Sequence, residues 1–379
     1  MKITEIKTTP LLVPYSKPYH WAQGVILGAG VVLVEVHTSD GIVGYGESVS
    51  TPSSVAIEDF LKLAGQTCIG KNPLQNARLM SEAYHALFQA FGTCSSPRFA
   101  GQVLAGLEMA LWDIAGKAAG RPVHQLLGGA VHEEISYFGF AQGDTVDEIA
   151  ADARQLAAEG FEVIYVKVGR GDRLDLEIVK AVRAAIGPDK RLRVDPNEKW
   201  GPVQAGRMIR NLVAYGVEAV EQPTRCESIA ALAQVRAASP IAISADQSVF
   251  NVFDAYDVCR QNAADLIVIG LHETGGITGL SKVAHVAEAA GVNICLHGLY
   301  ETGITTCASN QIAVTIPNLD DANQHMNRFL AWDIITGPDL NPRNGRLPAL
   351  EAPGLGFEIN WDNVERAKHA HLENQQDGR

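Results

Sequence analysis

Asp195, Glu221 and Asp246 each close a short apolar run: Leu192 to Val194, Val217 to Val220 and Ile241 to Ala245. The acids are 26 and 25 residues apart, about one strand-loop-helix-loop unit each time. Carboxylates at the same end of neighbouring parallel strands point into one shared space. Like charges crowded and buried there repel unless something neutralises them. A hard divalent cation with oxygen ligands is the natural neutraliser, and Mg2+ typically keeps positions open for substrate. One Mg2+ on Asp195, Glu221 and Asp246 is therefore the expectation. Asp195 alone could simply cap the following helix; the spaced triple favours the metal. Asn197 either supports that site or shapes its loop.

Two more polar residues end apolar runs: Lys167 after Val163-Ile164-Tyr165-Val166, and His297 after Val292 to Leu296. A carboxylate substrate on the metal would sit between these two proton carriers. A carbon acid beside a carboxylate has a very high pKa, so the enediolate left by proton removal needs charge stabilisation, which a metal clamp supplies. The lysine would need its pKa lowered from about 10.4 towards neutrality, by burial and the nearby cation. The plainer readings are a solvated strand-end lysine and a histidine satisfied by its neighbours.

Positioning these groups requires a particular architecture. From about residue 134, apolar runs near 135–140, 162–168, 191–195, 217–221, 241–245, 265–269, 292–297 and 329–334 alternate with amphipathic helical patterns such as Val146 to Ala158 and Leu176 to Ile186. Eight units of about 25 residues have the rhythm of a closed parallel barrel, whose active site lies at the C-terminal strand ends. The rival is an open doubly wound sheet, but no glycine-rich dinucleotide turn supports it. Lys167 and His297 fall on strands two and seven, flanking the acids on three to five. Earlier, residues 2–14 and 30–38 read as strands, and Ser39-Asp40-Gly41 turns into a return strand at 42–46. Helical patterns follow at about 54–92 and 98–119, the second ended by Gly120-Arg121-Pro122. The organisation expected is an α+β cap over residues 1–125, a (β/α) barrel over 126–340, and a segment 341–379 returning to the cap, with a frayed polar tail.

The 379 residues suffice for two domains with a large core, and the net charge of −12 argues against nonspecific nucleic-acid or anionic-membrane binding. No stretch is long and apolar enough to span a bilayer. The N-terminus alternates like a strand rather than a secretory signal. The six cysteines, Cys68, Cys94, Cys226, Cys259, Cys295 and Cys307, are scattered without a CxxC pair, which fits a reduced, cytoplasmic chain.

Taken together, these residues resemble the mandelate racemase and muconate lactonizing branch of the enolase superfamily. The resemblance rests on Glu108 to Lys117 with Pro122 and Leu126-Leu127-Gly128-Gly129, on Lys167-Val168-Gly169, Asp195-Pro196-Asn197, Glu221-Gln222-Pro223 and Ala245-Asp246-Gln247-Ser248, and on Gly275-Gly276-Ile277. It implies a capping domain over a modified barrel, Mg2+ on the three acids, α-proton abstraction from a small carboxylate, and a dimer or octamer. Lys167 matches the second lysine of the family's Lys-x-Lys motif. Two cap loops, Lys17 to Gly24 and Ser48 to Ser54, should cover the site, with Trp21 touching substrate or packing the lid.

The departures make this chain a hybrid. Tyr165 replaces the first lysine of Lys-x-Lys, and Gln247 replaces a glutamate. Gly270 stands where one subgroup has a lysine and the other an aspartate that orients the strand-seven histidine. Glu301, or an acid from another loop, would have to substitute for that aspartate. Two carriers on opposite faces suit a racemase, an epimerase or a dehydratase acting on a hydroxy acid or amino-acid derivative. A muconate-type or sugar-lactone cycloisomerase, needing one carrier, is the alternative, and a non-catalytic binding barrel is the remote one. The aromatic and apolar lid (Tyr19, Trp21, Ile26, Leu27) leans towards a compact acid.

Overall fold

The computed structural model describes residues 1–51, 53–91 and 97–376; Pro52 of the second cap loop and Cys94 lie outside them. The cap opens with three antiparallel strands in the order β1 (Ile3–Trp21), β2 (Gly24–Thr38) and β3 (Val43–Val49). Alternation along the β-branched run of β2 sorts its side chains between two cores. Val31 and Leu33 join the core shared with the barrel, while Val32, Val34 and Val36 pack under helices α1 (Ser54–Gln66), α2 (Asn76–Phe91) and α3 (Pro97–Ala119). Helix α3 lies hard against β3. A Cβ on Gly44 or Gly46 would come within 2.1 Å of the carbonyl oxygens of Ala110 or Gly106, so only glycine permits that approach.

After the short helix α4 (Val123–Leu126) and strand β4 (Glu134–Ser136), seven parallel strands form one sheet in chain order. They are β5 (Gly139–Ala141), β6 (Val163–Lys167), β7 (Arg191–Asp195), β8 (Val217–Glu221), β9 (Ala242–Ala245), β10 (Leu266–Ile269) and β11 (Asn293–Leu296). Their apolar runs are buried on both faces, as parallel strands sheathed in helices must be. The sheath comprises α5 (Val146–Ala158), α6 (Asp172–Ile186), α7 (Pro202–Leu212), α8 (Ile229–Ala238), α9 (Val252–Arg260), the single turn α10 (Leu271–Thr274) and α11 (Ile277–Ala289). Thr145 and Glu148 form a capping box at the start of α5, and Pro202 opens α7.

The eighth stave is not where the hydrophobic pattern predicts. Residues 318–324 close the ring: the Ile294 amide donates to Asn318, the Gln324 amide to Leu296, and the Phe138 amide to Asn323, at about 3.0 Å. This segment is polar, so its apolar signal is weak. The Asn323 side chain replaces part of the ladder by accepting from the Leu296 amide and donating to Ser136. The apolar residues near 329–334 pack instead against β1, where the Ala331 amide donates to Pro14. The predicted first stave also divides: β4 pairs with β13 (Arg346–Pro348), and only β5 enters the barrel. Below the site, Arg193 of β7 pairs with Glu218 of β8 and Asp320 of the closing segment, at 2.8 and 2.9 Å. A gap of only about 10 Å3 remains there, so the barrel interior is filled.

Helix α12 (Gly303–Ala313) is buried along its length, β12 (Ile335–Thr336) pairs with β14 (Glu358–Ile359), and α13 (Trp361–Gln376) follows. The tail was expected to fray. Residues 361–376 form a helix instead, burying Val364 and Ala367 as it packs on β1. Among the described residues, no helix is long and apolar enough to cross a membrane.

Candidate active site

Strands β7 and β8 end in Asp195 and Glu221, and Asp246 follows the last residue of β9. All three side chains are buried. The Tyr165 hydroxyl, two positions before the end of β6, donates to Asp195 Oδ2 at 2.6 Å or to Glu221 Oε1 at 2.9 Å. Tyrosine therefore bridges two acids without bringing a charge. Burial, aided by the charges of Asp195 and Asp246, pushes the Glu221 carboxyl well above the usual carboxylate range. Burial likewise raises Asp246 to about 6. This is the cost of crowding carboxylates that the spacing implied.

Lys167 ends β6 with its ammonium on Asp195 Oδ2, over the rings of Phe140 and Tyr165. The lowering expected of Lys167 depends on a nearby cation as well as on burial. Burial is the largest influence and does lower it, but Asp195, Tyr19 and Glu221 together outweigh burial and leave Lys167 raised. The groups that keep its proton in place are largely those a dication would engage.

His297 sits just beyond β11. Its Nδ1 lies 2.6 Å from Glu273 Oε1 and 3.8 Å from Asp246 Oδ1. Burial lowers the imidazole, but Asp246 and Glu273 prevail and raise it to about 10. The orienting acid is thus Glu273, and Glu301 does not fill that place. Glu301 turns away to accept from the Leu299 amide at 3.0 Å, and burial raises its carboxyl well above the usual range. Gly270 explains the exchange. A Cβ there would lie 2.6 Å from Glu273 Oε2 and 2.6 Å from the His297 carbonyl oxygen. The missing side chain clears room for an acid one helical turn later, on α10. The spacing Gly-x-x-Glu was the available signal, and only the fold shows that Glu273 returns to His297.

The Asn197 amide donates to Asp195 Oδ1 at 2.6 Å, from a backbone with φ of 43°. Gln247 lines the cavity above the acids, with Oε1 buried and unpartnered. Of the two predicted cap loops, the first reaches the site: it is the β1–β2 hairpin tip, and Trp21 and Gln23 line the cavity. The second, residues 48–54, is described except at Pro52. Ser48 is buried in the cap, donating to the Val103 carbonyl and accepting from the Gly106 amide. Gln102 of α3 also lines the cavity. Two buried cap acids fix the lid to the barrel. Glu47 accepts from the Thr302 and Thr305 amides at the start of α12. Glu108 accepts from Ile277 and Thr278 at the start of α11.

The donor set suits a hard dication: three buried carboxylates on adjacent strands, with Asp246 Oδ2 left without a partner. The three are not drawn within 4.8 Å of one another, whereas Glu198, Cys226 and Glu227 are. That second group mixes a thiol with an exposed carboxylate already paired to Arg225. The buried, oxygen-only set fits Mg2+ better.

A cap seated on a parallel barrel, with clustered acids at the strand ends and a cationic side chain on each flank, defines an architecture for carbon-acid chemistry. Residues 3–128 match the mandelate racemase / muconate lactonizing enzyme N-terminal domain, and residues 148–363 match the enolase C-terminal domain-like family. The chain belongs to the mandelate racemase/muconate lactonizing enzyme family of the enolase superfamily. It is 30% identical to the D-galactarolactone cycloisomerase of Agrobacterium fabrum, over 96% of this chain and 97% of that one. It is 31% identical to the L-Ala-D/L-Glu epimerase of Bacillus subtilis, over 94% and 97%. The dipeptide epimerase of Cytophaga hutchinsonii, solved with Mg and the dipeptide D-Ala-L-Val, superposes with a TM-score of 0.90 at 26% identity, covering 97% and 98%.

Proposed function

We propose that Asp195, Glu221 and Asp246 hold one Mg2+, and that this enzyme removes the α-proton of a small carboxylate and returns a proton to it. A racemase or epimerase of an amino-acid derivative or hydroxy acid is the reading the geometry supports best, with dehydration as the variant in which a leaving group departs. One observation carries it: two cationic side chains, Lys167 against Asp195 and His297 between Glu273 and Asp246, stand on opposite flanks of the acid cluster. When bound, Mg2+ supplies positive charge against the substrate carboxylate as negative charge builds at the α carbon.

Lys167 exchanges a proton at one face of that carbon, from Nζ. His297 serves the other face. Its Nδ1 is taken by Glu273, which leaves Nε2 for the substrate and sets the ring's orientation. Tyr165 and Asn197 fix the Asp195 carboxylate from two sides. Trp21 of the cap closes over the cavity and excludes water.

The likeness to a cycloisomerase favours a second reading, closure or opening of a lactone, in which Lys167 alone carries the proton. Incubation in D2O with a panel of hydroxy acids, sugar acids and amino-acid derivatives tests the proposal. Deuterium should enter the α position of at least one acid, with dependence on Mg2+. Its absence across the panel would overturn the proposal, and full activity of His297→Asn would select the one-carrier reading. A homo-oligomer is part of the same proposal. It is supported by the exposed aromatic side chains Phe253 and Tyr256 on α9 and is checked by light scattering.

A further inference from the structure

We infer that the substrate acid ends, away from its reacting carbon, in an ammonium group recognised by Glu198. This rests on the function proposed above and names the substrate class of that same site. The cavity beside Asp246, Glu273 and His297 holds about 200 Å3, below the ~300–1,000 Å3 typical of drug-sized ligands, so it admits a small molecule. Its wall above the acid cluster includes Trp21, Gln23, Gln102, Glu198, Gln247 and Tyr300. Among the described residues of that wall there is no lysine or arginine. A second carboxylate on the substrate, as in a diacid, would find no cation in the described wall other than His297, which serves the reacting carbon.

Glu198 offers the opposite charge. It follows Asn197 on the loop after β7, with φ of 65°, and Oε1 accepts from the Cys226 amide at 2.7 Å. The carboxylate is therefore held in place, and Oε2 is not used in that bond. The exposed guanidinium of Arg225 engages Glu227 through both Nε and Nη2 and feels the charge of Glu198 only as a lesser influence. Beside it, Gln247 is a polar, uncharged part of the same cavity wall, and an ammonium group donates up to three hydrogen bonds. Indole and phenol rings at Trp21 and Tyr300 complete a wall that tolerates a cation.

The test uses the wild-type protein with Mg2+ and three acids of matched length, ending in an ammonium, a neutral amide or a carboxylate. Deuterium uptake at the α carbon gives kcat/KM for each. The ammonium-ended acid should exceed the carboxylate-ended one at least tenfold. Glu198→Gln, which keeps an oxygen for the Cys226 amide, should shrink that ratio about 10- to 100-fold, the usual range for a charged hydrogen bond. Equal or reversed preference in the wild type, or an unchanged ratio in Glu198→Gln, would overturn the inference while leaving α-proton exchange standing. Exchange with none of the three, and with none of the wider panel, would instead overturn the reaction itself and this inference with it.

Discussion

Five polar residues at the strand ends carry the account, and each was legible because barrel position alone assigns it a direction. Asp195, Glu221, Asp246, Lys167 and His297 all terminate apolar runs, and strand ends of one sheet converge on one mouth. Glu273 was not legible in this way. It reaches His297 because a glycine at 270 leaves room for the Glu273 carboxylate, and the Gly-x-x-Glu spacing does not by itself mark that return. This pairing makes a specific prediction. Glu273→Gln should lower kcat by about a hundredfold, the scale seen when a group supporting a functional histidine is lost, with little change in KM. Gly270→Ala, which crowds Glu273 without removing it, should show the same split. A KM effect that matched the kcat effect would mean that Glu273 acts on substrate binding and not through His297. Lys167→Met should cost a factor of about 10² to 10⁴ in turnover, the range for a lost general acid or base.

At the scale of elements, seven barrel strands and the cap sheet follow from hydrophobic periodicity, and the eighth stave escapes it. Residues 318–324 carry Asp320, Asp321, Asn323 and Gln324. Their place in the ring is set by Asn323 and by the pairing of Asp320 with Arg193, contacts that no apolar pattern announces. The C-terminal helix was missed for a related reason. Among its described residues only Val364 and Ala367 are buried, too few to raise a clear stripe in a polar segment. The docking of cap on barrel depends on two buried acids at helix starts. Glu47→Ala would leave the Thr302 and Thr305 amides unpaired, and Glu108→Ala those of Ile277 and Thr278. Each should destabilise the fold by about 2–4 kcal/mol, read from urea midpoints with unchanged slopes. A loss below about 0.5 kcal/mol would show that the cap is held by apolar packing alone.

For the whole molecule, the fold makes acid a specific threat. His325 is buried edge-on to Tyr137, and burial, reinforced by Arg328, lowers its pKa to about 3. Unfolded histidine titrates near 6.5, so the unfolded chain takes up this proton first. The stability that His325 contributes as a neutral ring is present above about pH 6.5 and drains as pH falls towards about 3. Fully expressed, the gap corresponds to roughly 4–5 kcal/mol. His325→Gln should flatten that part of the stability curve relative to wild type, measured by denaturant unfolding between pH 7 and 4. Parallel curves would show that His325 does not drive it. The same buried framework holds a polar mouth, where Glu221 and Asp246 carry raised pKa values. Strain from crowded acids at one rim is supported by a filled interior below.

The central claim is that two proton carriers serve opposite faces of one α carbon. Enantiomer-resolved deuterium exchange tests it most directly, using each enantiomer of a substrate in D2O with Mg2+. Wild type should exchange both. Lys167→Met and His297→Asn should each lose exchange with one enantiomer and keep it with the other, in opposite senses. If both variants exchanged both enantiomers at the wild-type rate, or both lost the same one, the two-carrier account would be contradicted.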